Sequence, residues 1–435
     1  MVLFFRGGIS FMYSIKRHIV PVLERRFKNN VVISLSGARQ VGKSTLCDHL
    51  FSDVKKINFD NKLLRVTAQD DESGFLTKQG TPLFIDEAQK VPTIFEAIKD
   101  KIEKDKLGYS SYILSGSQKL KLHQGEESLA GRVSTNELSG LSLREIFDVS
   151  FNKHFIPTDE YLIAREKQLK KYDDIWEIIH RGQYPELYEN KEKEWEDFYS
   201  SYINTYLERD VADLISTNNL LTFTKFMTCV AARTGNILVY SNIASEVGVD
   251  EKTISAWISI LVRSNIIYLL QPYCNSHLSR AIKSPKIYFR DTGLACYLTR
   301  WLTKETAQNG HMAGHLFETF VINELIKSFS NAGEKYDFSI FYYKGKDKKK
   351  KKIKTDGGIV EEEEEGEIDF IIQDGDNLYP IEIKETESPT ASMASIFDVL
   401  DKDVDKKRST GVIICTYPEK LYLRDNLVCL PLEYI

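Results

Sequence analysis

Short apolar runs separated by helix-spaced stretches fill the first third of the chain. Residues 31–35 (Val-Val-Ile-Ser-Leu), 83–85 (Leu-Phe-Ile) and 112–114 (Tyr-Ile-Leu) each lead into polar or glycine residues. Strands alternating with helices predict a mainly parallel sheet with covering helices over residues 14–150. Residues 151–217 turn helical. Residues 240–248 then read as a helix ending in a glycine turn, 252–262 as a second helix, and 266–270 and 286–289 as two strands. That order predicts a helix-turn-helix followed by a wing. A helix at 316–326 precedes strand-like runs near 338–343, 367–372, 378–384 and 411–416, a further α/β unit. Lysines at 344–354 and glutamates at 361–365 interrupt it. Single-sign blocks repel themselves and bury nothing, so 344–366 reads as a disordered insert.

The expectation is a multidomain α/β chain with units at 12–150, 151–217, 218–300 and 301–435. The length of 435 residues agrees, since one core stops growing near about 250 to 300 residues. With 58 basic and 63 acidic residues the net charge is −5, which excludes a uniformly basic nucleic-acid coat. The charge is unevenly placed, however. Residues 151–217 hold nine basic and fifteen acidic side chains, whereas 218–300 hold nine and four. The basic segment coincides with the predicted helix-turn-helix and keeps DNA as an expected partner. Six scattered cysteines without a CxxC pair suggest neither zinc nor a disulfide framework, and a cytoplasmic location. The apolar start is cut at Arg6, too short for a secretory core, and Met12 is a second candidate start. No run approaches the about 20 apolar residues of a membrane helix, so no membrane partner is expected.

Residues Gly37, Ala38, Arg39, Gln40, Val41, Gly42, Lys43 and Ser44 fit G-x4-G-K-[ST], with Thr45 opening a helical run. They follow the strand at 31–35 directly, the context a phosphate-binding loop requires. Glycines let backbone N–H groups curl around a phosphate, and the new helix adds its amino-terminal dipole. Lys43 reaches the β- and γ-oxygens, and Ser44 offers its hydroxyl to Mg²⁺. ATP and Mg²⁺ are the expected ligands. The run at 83–85 delivers Asp86 and Glu87 to the carboxyl end of a strand, where open α/β sheets bind ligands. Asp86 would hold the Mg²⁺ shell and Glu87 would activate the attacking water. The third strand ends at Ser115 and Ser117, hydroxyls placed to sense the γ-phosphate. Arg132, in its own chain or a neighbour's, competes with Arg39 for the role of cationic finger.

Toward the carboxyl terminus, 367–372 and 378–384 alternate and are joined by Gln-Asp-Gly-Asp-Asn, a hairpin signal. Glu382 and Lys384 share a strand face. Folding about Gly375 sets Asp369 opposite Glu382, with facing Cβ atoms about 5 Å apart. Asp369 and Glu382 are candidate ligands for Mg²⁺ or Mn²⁺, and Lys384 would orient water or neutralise a scissile phosphate. Glu382 with Lys384 also reads as a surface pair worth little. In the helix-turn-helix, Thr253, Ser255 and Ser259 would face a groove, Lys252 and Arg263 phosphates, with Arg280, Lys283 and Lys286 on the wing. The alternative there is a protein-binding lid.

The phosphate loop, Asp86-Glu87, Ser115-Gly-Ser117, Leu129-Ala-Gly-Arg132, Arg181-Gly-Gln-Tyr-Pro185, Tyr206-Leu-Glu-Arg-Asp210 and Tyr288-Phe-Arg-Asp-Thr-Gly293 occur in an order that resembles one family. It is the prokaryotic AAA-type ATP-binding proteins with a C-terminal domain of unknown function, and the resemblance runs from about residue 12 onward. It implies a P-loop ATPase core, a helical and winged-helix middle, and a restriction-endonuclease-like end. The Asp…Glu-x-Lys pattern resembles that nuclease fold, Holliday-junction resolvases included, in which a preceding helix adds a glutamate. Glu318 is the implied residue and Glu324 the reserve. The expected function is a Mg²⁺-dependent ATPase that drives a winged-helix and nuclease-like module on DNA. The alternative is an ATP-dependent interaction switch with an inactive nuclease-like domain, binding a protein partner or further copies of itself.

Overall fold

The structure, a computed structural model, describes residues 15–435 apart from 118–128, 173, 212–214, 216–219, 275–282, 356–357 and 404–405. Met12 and Arg280 lie outside the described residues. The N-terminal sheet contains β1 (Val32–Ser36), β2 (Lys55–Asn58), β3 (Leu83–Asp86), β4 (Tyr112–Gly116) and β5 (Val133–Glu137) in the order β2-β3-β4-β1-β5, all parallel. β1, β3 and β4 are buried along their length, which is why they read as unbroken apolar runs. The edges β2 (Lys-Lys-Ile-Asn) and β5 (Val-Ser-Thr-Asn-Glu) carry no such signal. Helices α1 (Val20–Asn29) and α2 (Lys43–Leu50) cover one face through Val22, Leu23 and Leu46. Helix α3 (Ile94–Asp105) covers the other with Ile94, Phe95 and Ile98.

The middle is helical. α4 (Trp195–Tyr206) buries Phe198, Tyr199, Tyr202 and Tyr206, and α5 (Leu220–Ala231) stacks Phe223 and Phe226 edge-on to Trp257. α6 (Tyr240–Val247) turns at Gly248 into α7 (Glu251–Arg263), capped by Asp250. An antiparallel ribbon follows, β6 (Ile267–Leu270) and β7 (Lys286–Phe289), and then α8 (Thr292–Leu298). The 20-residue helix α9 (Ala313–Ala332) is buried on nearly every side.

The C-terminal unit is a mixed sheet. β8 (Ile340–Thr355), β9 (Gly358–Asp374) and β10 (Asn377–Lys384) form an antiparallel meander. β11 (Lys407–Arg408) pairs with the start of β10, and β12 (Gly411–Cys415) and β14 (Leu427–Pro431) add parallel strands, with β13 (Leu421–Arg424) as the edge. The charged blocks expected to be a disordered insert are instead the outer parts of β8 and β9. Their register sets Lys350, Lys351 and Lys352 opposite Glu363, Glu362 and Glu361.

One apolar core runs from Leu35 through Tyr199, Trp257, Tyr288 and Phe320 to Ile372, Ile414 and Tyr434. The units therefore share a core. Among the described residues, no helix is long and apolar enough to cross a membrane.

Candidate functional site

β1 runs straight into the loop 37–42. A Cβ on Gly37 would lie 2.2 Å from the Leu138 carbonyl oxygen, so only glycine fits there. Gly42 has φ +91°, a left-handed conformation that favours glycine, and Gln40 joins it at φ +61°. Lys43 Nζ donates to the Gly37 and Ala38 carbonyls at 2.9 and 2.7 Å, which holds its ammonium over the loop. Ser44 Oγ donates to Asp86 Oδ2 at 2.7 Å across the gap between α2 and β3. Thr45 is exposed on the first turn of α2. Asp86 also accepts from Asn58 Nδ2 at 3.1 Å and from Ser115 Oγ, so Ser115 supports the carboxylate instead of facing a phosphate. Glu87 adopts the left-handed conformation at φ +54°, and its carboxylate is held by Gln89 Nε2 at 2.5 Å and Ser117 Oγ at 3.4 Å.

Arg132 stands elsewhere. Its carbonyl bonds the Val32 N–H, so it marks the amino end of the sheet, and its guanidinium pairs with Glu103 at 2.7 Å. The five residues of β1 separate that end from the loop by roughly 17 Å at the usual strand rise. A finger role for Arg132 within its own chain is thereby contradicted.

The hairpin β9–β10 pairs Ile381 with Phe370, and the same register carries Glu382 to Asp369. Ile383 N–H donates to Asp369 Oδ2 at 2.9 Å, and Lys384 Nζ reaches Glu382 Oε1 at 2.7 Å and Asp369 Oδ2 at 3.6 Å. Glu318, from the second turn of α9, completes the group. Its Oε1 accepts from Tyr288 OH at 2.6 Å and Lys286 Nζ at 3.0 Å. Lys286 also pairs with Glu367 and lies 3.9 Å from Asp369 Oδ1. Asp369 and Glu382 are 5% and 6% exposed, while Lys384 reaches them from a side chain that is 46% exposed, so the Glu382–Lys384 pair is solvated only at its lysine end.

Burial, then the charge of Asp369, pushes the Glu318 carboxyl up to about 7 and that of Glu382 up to about 8. Burial opposes the charge on Lys384, but Asp369 and Glu382 outweigh it and hold the ammonium above its ordinary range. Among the described residues, no three His, Cys, Asp or Glu side chains form a ready metal cage, and two lysines stand among these acids. Two observations nevertheless fit a divalent cation. Glu382 Oε2 is buried without a hydrogen-bond partner. Four carboxylates (Glu318, Glu367, Asp369, Glu382) face two ammoniums (Lys286, Lys384), so ionising all four, which the raised Glu318 and Glu382 carboxyls resist without a further cation, leaves 2 − 4 = −2.

Glu324 lies elsewhere, two turns further along α9. It accepts from Leu143 N–H at 2.8 Å and Gln183 Nε2 at 2.7 Å, and pairs with Lys327 at 3.1 Å. In α7, Lys252, Ser255 and Arg263 are exposed, but the Thr253 hydroxyl caps onto Asp250 and Ser259 bonds back to the Ser255 carbonyl. Lys286, expected on a wing, is 3% exposed and belongs to the carboxylate cluster. A lone charge opening the apolar strand Lys-Ile-Tyr-Phe was the signal for it, since buried charges need partners. Asn58, Gln89 and Glu367 were given no role from sequence, and Tyr288 entered only as the first residue of a motif. A cavity of about 620 Å³ near the end of β10 is lined by Asp174, Trp176, Glu385, Glu387 and Glu433, an acidic wall unsuited to a phosphodiester chain.

Three family models match parts of the chain. Residues 29–147 match an AAA domain, 172–305 a domain of unknown function (DUF8612) and 360–435 another domain of unknown function (DUF4143). The N-terminal unit is a P-loop ATPase-type domain. The uncharacterized proteins Rv2008c of Mycobacterium tuberculosis and Mb2031c of Mycobacterium bovis are each 24% identical over 434 residues, spanning 98% of this chain and 86% of theirs. Among solved structures, the Walker-type ATPase PABY2304 of Pyrococcus abyssi is 13% identical with a TM-score of 0.42, covering 66% of this chain and 99% of that one. Thermotoga maritima RuvB is 16% identical at a TM-score of 0.29, over 57% and 85%.

Proposed function

We propose that the chain is a cytoplasmic Mg²⁺-dependent ATPase that couples nucleotide state to a winged-helix segment and a restriction-endonuclease-like module acting on DNA. The observation that carries it is the convergence of Lys43, Ser44, Asp86 and Glu87 beyond the carboxyl ends of β1 and β3, the two strands that flank β4. Bound Mg²⁺ supplies positive charge where the β- and γ-phosphates separate. Ser44 and Asp86 would hold it. Lys43 exchanges its two loop carbonyls for phosphate oxygens, Gly37 to Thr45 lend their N–H groups, and Ser117 positions Glu87. Glu87, fixed by Gln89 as well, takes the proton of the attacking water. Arg132 would act only in a neighbouring copy, the reason to keep a homo-oligomer in the proposal.

In the C-terminal unit, Asp369 and Glu382 would hold Mg²⁺ or Mn²⁺, Glu318 would complete the set, and Lys384 would face the scissile phosphate or its water. The α6–turn–α7 pair supports DNA contact through Lys252, Ser255 and Arg263, without Lys286. The test measures ATP turnover and cleavage of linear and branched DNA on one preparation. Lys43→Ala must abolish turnover, and cleavage must disappear in both Asp369→Ala and Lys384→Ala; turnover that survives Lys43→Ala overturns the first half.

One observation favours the second reading, an ATP-driven interaction switch whose nuclease-like domain is inactive. Lys286 sits among the acids a cation would need. Under that reading the protein cleaves nothing, and DNA affinity does not fall between two salt concentrations.

A further inference from the structure

β7 brings to the carboxylate cluster a residue from outside the unit that supplies the carboxylates. Glu318 comes from α9, and Glu367, Asp369 and Glu382 from the hairpin β9–β10. Lys286 opens β7, the second strand of the middle ribbon, and its backbone is fixed by bridges to Leu270 and Ile237. The ribbon is sewn to the C-terminal sheet, since Tyr273 N–H donates to the Tyr342 carbonyl at 2.6 Å and Tyr342 N–H to the Gln271 carbonyl at 3.1 Å. From there the Lys286 stem runs past the rings of Tyr288 and Tyr342, 6.0 and 5.9 Å from its nitrogen. Its ammonium ends between Glu318 Oε1 and Asp369 Oδ1, at 3.0 and 3.9 Å, with Glu367 on a third side.

Asp369 is thus bracketed by two ammoniums, Lys286 on Oδ1 and Lys384 on Oδ2. They are not equivalent. Lys384 is 46% exposed along its side chain and comes from the same strand as Glu382, whereas Lys286 is 3% exposed and comes from a different unit. A divalent ion shared by Glu318 and Asp369 would occupy the space that Lys286 Nζ now fills. Glu382 Oε2 is buried with no hydrogen-bond partner and offers a ligand atom that no lysine satisfies. We infer that Lys286 is an internal cation that occupies the carboxylate site in the resting chain and competes with a divalent metal for Glu318 and Asp369. The inference rests on the reading of Asp369 and Glu382 as metal ligands and adds its regulation. Metal entry then requires only rotation of a flexible four-carbon stem, a side-chain motion that leaves β7 in place.

β7 also has a second attachment. Arg290, the residue after it, pairs with Glu137 and reaches Ser139 Oγ at 3.1 Å, and Leu138 between them packs on Gly37 of the phosphate loop. The strand that carries the internal cation therefore abuts the nucleotide site at its other end.

The test uses the full chain without nucleotide and follows free Mn²⁺ by electron paramagnetic resonance during titration. The share of binding lost in Asp369→Asn defines the site. Lys286→Gln is expected to tighten that share at least tenfold, with Lys286→Met giving the same gain. Lys286→Arg, which keeps the charge, is expected to stay within threefold of the parent. Circular dichroism and the thermal midpoint confirm that each variant is folded, and Lys286→Met serves where Lys286→Gln is not. Asp369-dependent binding that is unchanged or weaker in folded Lys286→Gln and Lys286→Met overturns the inference while leaving the metal-site reading intact. No Asp369-dependent binding in the parent or in either variant overturns the metal-site reading itself, and the inference with it.

Discussion

Replacing Lys327 by methionine should cost the chain about 4 kcal/mol of folding stability, from the loss of a buried partner and of two donor contacts. The number comes from a closed network. Lys327 and Glu324 are 2% and 3% exposed in their side chains and pair at 3.1 Å. Lys327 also donates to the Leu141 carbonyl at 2.9 Å and to Gln183 Oε1, while Glu324 accepts from Leu143 N–H and Gln183 Nε2. Burial holds the lysine below its ordinary pKa even though Glu324 pulls the other way, so the charge is costly to keep and costlier to leave unmatched. Methionine fills a similar volume but strands the Glu324 carboxylate in the core; breaking one partner of a buried pair typically costs about 3 to 5 kcal/mol. Glu324→Leu combined with Lys327→Met removes both charges and should recover at least half of the loss. Urea unfolding followed by far-ultraviolet circular dichroism and tryptophan fluorescence measures both variants. A single-variant loss under about 1 kcal/mol, or a double variant worse than the single, would refute the account of a buried, mutually dependent pair joining the loop after β5 to α9.

Three further outcomes follow from the sites. Lys43→Ala should lower ATP turnover by at least 100-fold, whereas Glu87→Gln should bind ATP and fail to turn it over; radiolabelled phosphate release and filter binding separate the two, and fast turnover in Glu87→Gln would remove it as the base. Stability should fall as pH rises from about 5 to 8 and level off above, by a few kcal/mol. Glu318 near 7 and Glu382 near 8 bind protons in the folded chain that the unfolded chain, near 4.5, has already released. Thermal midpoints that rise over that window would contradict the buried-carboxyl account, and Glu382→Gln should flatten the slope. Arg132→Ala should leave ATP affinity unchanged, and if turnover per chain rises with protein concentration in the parent, that rise should vanish in the variant; a lower affinity at high dilution would place Arg132 in its own chain's site.

Much of the nucleotide site was legible from the chain because its chemistry is local. A glycine pattern, a lysine and a hydroxyl lie within eight residues, and the strand before them is buried on both faces and so reads as an apolar run. The same logic exposed β3 and β4 but not the edges β2 and β5, whose polar residues face solvent on one side. The hairpin register was also legible, since a turn at Gly375 and a period of two fix which residues face each other. The charged blocks misled because each was weighed alone, and pairing between strands is a property of two segments.

What the chain could not disclose was the company each charge keeps across units. Lys286 and Glu324 look alike in sequence, lone charges in apolar surroundings, yet one belongs to the carboxylate cluster and the other to a structural network two turns along the same helix. The resemblance had ranked Glu318 ahead of Glu324, and the placement of α9 against β7 and β9 puts Glu318 beside Lys286 and Tyr288 and leaves Glu324 with Lys327 and Gln183. Likewise Arg132 lost its role in its own chain because a parallel strand sends its two ends to opposite edges of the sheet. Sequence spacing determines which residues share a face; the docking of one face on another determines which charges lie within 4 Å, and at that range Coulomb energy decides what a buried carboxylate can do.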